Sequence, residues 1–409
     1  MKFSTRIDFS ASRNSLDLER ARRVREGLPI IDLSQSNPTK TGLFFPPEIL
    51  AGALGARANS SYRPDPRGLT EARLAIASVL AAERKPGTAA SAIDPAHLLL
   101  CASTSEAYSY LFKLLCDPGD AVLVPRPGYP LFDHLAALES VRAIGYRLDY
   151  RHPAGWSIDL EALKDSLERQ EAELASGRRI KAIVLINPNN PTGSYIHEKE
   201  AAALIELCRR HDLALIADEV FHGYAVEPKA DRVSFLGLEE VPTFTLDGFS
   251  KRLCLPQAKL GWIHASGPSG TVESSMGALE IISDTFLSAG TPVMNAAGAL
   301  LAEGPTITAQ VLSRMRDVLS VYRGILEGKD SPHRILACEG GWTALVQSPA
   351  YEREESLALD LLREEGIFVY PGYFFDMERE AHFAFSLILE PQEAEKAASR
   401  YRAFFDRYK

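Results

Sequence analysis

No stretch of this chain reaches the roughly 18 uninterrupted apolar residues of a membrane-spanning helix, and its start, MKFSTRIDFSASRNSLDLERARR, lacks the apolar core of an export signal. Positive charge is in deficit: 45 Lys+Arg stand against 54 Asp+Glu, a net charge of −9. With no basic stripe interleaved with aromatics, nucleic acid is not expected as a partner, and neither is a membrane. Cysteine is sparse. Cys101, Cys116, Cys208, Cys254 and Cys338 are odd in number and widely spaced, with no CxxC pair. Neither a disulfide framework nor a metal site is suggested, and a reducing, cytoplasmic setting is expected. There is no internal repeat or low-complexity tract. What is present is 409 residues, 46% hydrophobic and 24% charged, enough for one large core or two.

From about residue 90 short apolar runs recur: His97 to Cys101, Ala121 to Pro125, Ile180 to Ile186, Leu213 to Ala217, Thr243 to Leu246 and Leu260 to His264. Several are apolar throughout, as in strands covered on both faces of a mostly parallel sheet, and the stretches between them read as an α/β pattern. Leu160 to Ala175 and Glu198 to Arg210 carry helical spacing. A long helical stretch, Val293 to Leu326, with a break possible at Gly304-Pro305, leads into a mixed segment from Ile335 onward. The expected organisation is a large domain over residues 46–310 and a small one built from 1–45 and 311–409.

Four places combine strand ends with polar residues. After the first run comes Ala102-Ser103-Thr104-Ser105-Glu106, a turn into a helix whose free N–H groups suit phosphate; read alone, Ser103 is better explained as a helix cap. The third run ends in Asn187-Pro188-Asn189-Asn190-Pro191-Thr192-Gly193, at the strand end where open α/β sheets bind ligands, or simply a tight turn. The fourth ends in Asp218-Glu219, one of which could be a functional charge or a cap. The fifth leads to Ser250-Lys251-Arg252 and on to Lys259; a lysine there is by itself unremarkable.

In this order and spacing the set resembles the class I/II aminotransferases, the aspartate aminotransferase superfamily of pyridoxal 5′-phosphate (PLP) enzymes of fold type I. Further marks are Tyr62, Gly68 and Arg73 in SYRPDPRGLTEAR, and the stretch Asp117 to Tyr129. The resemblance covers nearly the whole chain. It implies an α/β fold with a mostly parallel central sheet and a smaller α+β domain. It also implies a homodimer, and transfer of an amino group from an amino acid to a 2-oxo acid through a pyridoxamine form. Lys251 would be the Schiff-base lysine and proton carrier, and Asp218 the partner of the pyridinium nitrogen. Tyr129 would stack on the ring and Asn190 would donate to its phenolic oxygen. Ser103, Thr104 and Ser105 would hold the phosphate, with Tyr62 reaching it from the neighbouring subunit, and Asn37 would touch substrate.

Three positions depart from the family pattern. Phe221 stands where a tyrosine commonly bonds the phenolic oxygen. Lys259 replaces the phosphate-clamping arginine, a point charge for a planar fork. In His382-Phe383-Ala384-Phe385-Ser386, Ala384 takes the place of the arginine that grips the substrate carboxylate. Arg13, Arg67, Arg126, Arg252 and His382 are conceivable substitutes, and the cluster Tyr370 to Phe375 could shape a side-chain pocket. The loss leaves open another PLP reaction on the same scaffold, a lyase, decarboxylase or cyclase. A PLP-binding DNA regulator is disfavoured by the acidic charge and the lack of a preceding helix-turn-helix module.

Overall fold

The computed structural model describes residues 3–7, 14–83, 93–173, 177–287, 289–328 and 330–408. Its strands are β1 (Ile31–Asp32), β2 (Leu98–Cys101), β3 (Ala121–Arg126), β4 (Arg142–Arg151), β5 (Gly155–Ile158), β6 (Ile180–Ile186) and β7 (Ala214–Asp218). Then follow β8 (Thr243–Gly248), β9 (Gly261–Ser266), β10 (Arg334–Ile335), β11 (Thr343–Gln347), β12 (Ile367–Phe368), β13 (Tyr370–Pro371) and β14 (His382–Ser386).

Eight strands form one sheet in the order β2-β9-β8-β7-β6-β3-β4-β5. Its centre, β4-β3-β6-β7-β8, is parallel. Both margins are antiparallel, β5 on β4 at one side and β9 with β2 at the other. The expected mostly parallel sheet is thus a mixed one with a parallel core. Alternate residues of each central strand enter different cores: Val122, Val184, Ile216 and Leu246 on one face, Leu123, Ile183, Leu185 and Leu215 on the other. That double coverage is why these runs do not alternate in polarity. β4 and β5 had no place in the sequence reading. Next to the edge strand β5, β4 mixes charged and half-buried residues and lacks a continuous apolar signature.

Helix Leu160–Glu173 matches the expected one as far as the described residues go; 174 and 175 lie outside them. The long stretch near residue 300 is two helices, Thr291–Ala302 and Gly304–Leu326, with Pro305 in the first turn of the second, where a missing N–H costs nothing.

The chain ends meet in smaller sheets. β10-β11-β14-β13 is antiparallel, and β1 pairs in parallel with β12. The Ser386 N–H donates to the Leu33 carbonyl at 2.7 Å and the Leu33 N–H to the Phe368 carbonyl at 2.8 Å, so the segment before residue 45 is fastened to the C-terminal strands. These strands touch the carboxyl edge of the large sheet at two points. Gly128 N–H donates to Phe375 O at 3.0 Å, and the N–H groups of Glu339 and Gly340 both donate to Gly193 O. Gly193 has φ +70°, and a Cβ there would lie 2.6 Å from Gly340 O, so no other residue fits this joint.

Candidate active site

Neighbouring acids at the end of β7 have opposite fates. Glu219 is fully spent on structure: it accepts from Asn187 Nδ2 (3.2 Å), Phe235 N–H (2.8 Å) and Ser234 Oγ (2.6 Å). Asp218 points to the other face. Its Oδ2 accepts from the Tyr108 hydroxyl at 3.1 Å and its Oδ1 from Val220 N–H at 3.2 Å. Burial pushes its pKa up to about 7; the two hydrogen bonds oppose this, and the charges of Asp247 and Glu219 add to it. No salt bridge to Asp218 forms among the described residues. A buried acid of this kind suits a ligand that brings a positive charge or an N–H.

Lys251 lies in the short helix Phe249–Arg252 that follows β8. Its ammonium sits 4.9 Å from the Trp342 ring centroid and 5.5 Å from that of Phe221. Burial lowers its pKa, while Cys254 and Asp218 pull the other way. The Tyr224 hydroxyl donates to the Lys251 carbonyl at 2.6 Å and pins its backbone. Arg252, next in the chain, turns away to pair with Asp247 and Glu83. A cleft of about 980 Å³ opens on that other side, lined by Thr245, Asp247, Arg252 and Trp262; none of Asp218, Lys251, Tyr129 and Asn190 lines it.

β2 runs through Ser103 into helix Thr104–Leu115. Ser103 is the N-cap, its Oγ accepting from Glu106 N–H at 3.2 Å, so the capping reading holds for that hydroxyl. The Glu106 carboxylate accepts from Ala102 N–H at 2.6 Å. The N–H groups of Thr104 and Ser105, first in the helix, have no helical acceptor and remain available to an anion. A Cβ on Gly261 would lie 3.1 Å from the Ser103 carbonyl carbon, so glycine there lets the turn lie against β9. Lys259 is exposed at φ +56°, and its charge reaches Cys101, two residues before Ser103. That donor set fits a phosphate.

Of the three asparagines in the Asn187–Gly193 turn, two are committed. Asn187 donates to Val233 O and Glu219, and Asn189 to Pro127 O and Thr192 Oγ1. Asn190 is half-buried, with no such commitment among the described residues. Tyr129 is half-buried and feels the Asp218 charge, second to burial in raising its pKa. The structure thus brings Lys251, Asp218 and Tyr129 together. Tyr62 stands apart, 72% exposed. Asn37 caps the turn Pro38–Lys40, its Oδ1 accepting from Thr39 N–H and Oγ1.

Ala384 is 3% exposed, opposite Leu345 and Tyr370 in the chain-end sheet and in one core with Leu345 and Phe375. The place of an arginine is filled with apolar groups. The candidate substitutes are largely engaged: Arg67 with Glu280, Arg252 with Asp247 and Glu83, and Arg126 with Asp133 and Asp376, although Arg126 Nη1 is buried without a partner. His382 Nδ1 lies 3.0 Å from Arg379 O, and burial lowers its pKa. Arg13 lies outside the described residues. In the aromatic cluster Tyr370 packs on Phe374 and Phe375.

Sequence reasoning missed Tyr108 and Trp342. Tyr108 lies on the buried helix face with Ala107 and Leu111, a position that reads as core. Trp342 follows the Gly340-Gly341 pair and comes to Lys251 only through the fold.

The sequence profile of aminotransferase class I and II matches residues 29–400, and the chain belongs to that family. It is thus an aminotransferase, an enzyme that moves an amino group between an amino acid and a 2-oxo acid; the alternative PLP reactions are not favoured. Among similar proteins are the glutamate-pyruvate aminotransferase AlaA of Haemophilus influenzae, 25% identical over 97% of this chain and 96% of that one, and the alanine aminotransferase of Mycobacterium bovis, 28% identical over 93% and 86%. The solved alanine aminotransferase of Pyrococcus furiosus superposes with a TM-score of 0.84 at 23% identity, over 99% of this chain and 100% of that one, a likeness of fold. No helix among the described residues is long and apolar enough to cross a membrane.

Proposed function

We propose that this aminotransferase works with PLP bound at the edge of β7 and β8. Bound there, the cofactor supplies an aldehyde for amines and a ring that accepts the electron pair released at the substrate Cα. Lys251 attaches it and carries the proton away from Cα; its lowered pKa leaves more of the amine neutral and nucleophilic near neutral pH. Asp218, short of a cationic partner, holds a proton on the ring nitrogen. Tyr129 covers one face of the ring and Asn190 donates to its phenolic oxygen, toward which Phe221 offers no donor. Ser103, Thr104 and Ser105 hold the phosphate at a helix N-terminus, with Lys259 adding charge.

Tyr62 reaches the phosphate of a partner subunit in a homodimer. Exposed Tyr62, Ile281, Phe286 and Leu287 support such an interface, being apolar surface that a monomer would leave in water. Residues 46–310 form the large domain, and 1–45 with 311–409 the small one that closes over substrate and excludes water, Asn37 at its margin. Five cysteines without a disulfide support a cytoplasmic setting.

The observation that carries this reading is the pair Lys251, half-buried, and Asp218, buried, at adjacent strand ends with no salt bridge between them or to other described residues. Incubation with PLP, borohydride reduction and peptide mapping should leave the pyridoxyl group on Lys251; label elsewhere, or none, overturns it. The named relatives make alanine, glutamate and their 2-oxo acids the first substrate panel.

A further inference from the structure

The family pattern puts a tyrosine hydroxyl where this chain has Phe221, and the ε-amine of Lys251 meets aromatic faces. Phe221 and Trp342 are T-shaped to one another, centroids 5.4 Å apart, and both rings lie within 6 Å of Nζ, the range in which an ammonium is attracted by a ring quadrupole. The two rings come from different parts of the fold. Phe221 follows β7, and Trp342 precedes β11 in the chain-end sheet, where its carbonyl accepts from Leu387 N–H at 2.8 Å. Trp342 is held in place by Tyr224, 5.4 Å away, the same tyrosine that pins the Lys251 carbonyl. The Trp342 side chain is 3% exposed and its Nε1–H has no hydrogen-bond partner.

We propose that Trp342, with Phe221, is a positioning residue for Lys251: its indole face holds the charged ε-amine whenever that amine is free, and so links the chain-end sheet to the reacting group. The proposal rests on the reading of Lys251 as the reactive lysine.

The groups facing Lys251 act in different directions. Burial disfavours the ammonium, and Asp218 from β7 and Cys254 from the following turn favour it. Arg252 is engaged with Asp247 and Glu83. The rings contribute a further attraction for the ammonium that disappears with the π-face and not with the bulk. Trp342→Phe keeps a face; Trp342→Leu keeps an apolar side chain, smaller than the indole, and removes the face.

The test follows labelling of Lys251 by acetic anhydride against pH in the full chain without cofactor, by mass spectrometry of its peptide. The midpoint of Trp342→Leu is expected about one pH unit below that of the wild type, with Trp342→Phe close to it. A packing role gives the opposite sign, because lost volume admits water and lets the midpoint rise toward that of a free lysine. A midpoint unchanged or raised in Trp342→Leu overturns the proposal. Should that variant fail to fold, the wild type still decides. The indole N–H resonance of Trp342, assigned among three tryptophans with Trp342→Phe, should move at the labelling midpoint of Lys251, and a signal flat through that pH overturns the proposal. Failure of PLP to label Lys251 would sink the proposed cofactor role and leave this midpoint difference standing.

Discussion

The carboxyl edge of the large sheet and strand β14 of the chain-end sheet are built on different terms. At the first, the buried Asp218 and the half-buried Lys251 are ionisable groups with little to neutralise them, an arrangement that costs stability and that the proposed cofactor would offset. At the second, Ala384 is packed among apolar side chains. One edge gives up stability for reactivity, while the other has exchanged a charged anchor for a settled core. On the proposed reading the chemistry at Cα belongs to the first and the grip on substrate to the second, and the chain departs from the family pattern at both, at Phe221 and Lys259 on one and at Ala384 on the other.

The largest effect should come from the reactive edge. Lys251→Ala removes both the attachment and the proton carrier, and 2-oxo acid formation should fall at least about 10³-fold, the range lost with a general acid–base group. Activity within tenfold of wild type would mean that the buried lysine is structural and the comparison is misdrawn.

Asp218→Asn should lower turnover by roughly 10²-fold, because a carboxamide cannot hold a charge against the ring nitrogen. The same variant tests the cost of that edge. Without cofactor, Asp218 keeps its proton up to about pH 7, whereas in the unfolded chain it ionises near pH 4. Between these values the folded form holds a proton that the unfolded form has lost, so raising the pH drains stability. The carboxamide of the variant does not titrate. Cofactor-free Asp218→Asn should therefore be the more stable protein at pH 8, by on the order of 3 kcal/mol, with the gap closing toward pH 4. Urea melts at the two pH values check both signs.

Ala384→Arg tests the settled edge. A guanidinium placed between Leu345 and Phe375 has no carboxylate facing it, and burying it should cost about 3 kcal/mol in a urea melt, without lowering the KM for amino acids. If the variant is stable and KM falls, the space was open and the difference between the two edges is smaller than drawn.

The sequence made some of this legible and hid the rest for physical reasons. Central strands such as β6 and β7 stood out because both faces are buried, whereas Asp218 and Lys251, each ambiguous alone, were singled out by the family resemblance of the whole set. β4 was hidden because, one strand in from the sheet margin, it carries charge, as at Arg142 and Arg147. Tyr108 was hidden because a hydroxyl aimed at Asp218 from a helix face looks like any core tyrosine. The division of labour among Asn187, Asn189 and Asn190 is set by where Val233, Glu219 and Pro127 lie, which no local pattern encodes. Trp342 reaches Lys251 across about 90 residues of chain, a contact made by tertiary structure alone.

The smallest expected effect lies between the two regions, at Phe221, whose ring touches both Lys251 and Trp342. Phe221→Tyr adds one hydroxyl and keeps the ring. If that hydroxyl donates to the phenolic oxygen of bound PLP, it stabilises the deprotonated form, and the pH midpoint of the cofactor's absorbance should fall by up to about one unit. Stability should change little, since the position is only partly buried and the added oxygen need not be desolvated. Equal midpoints would mean that the phenolic oxygen is out of reach of this position, and that Phe221 serves Lys251 through its face alone, as Trp342 does from the other side.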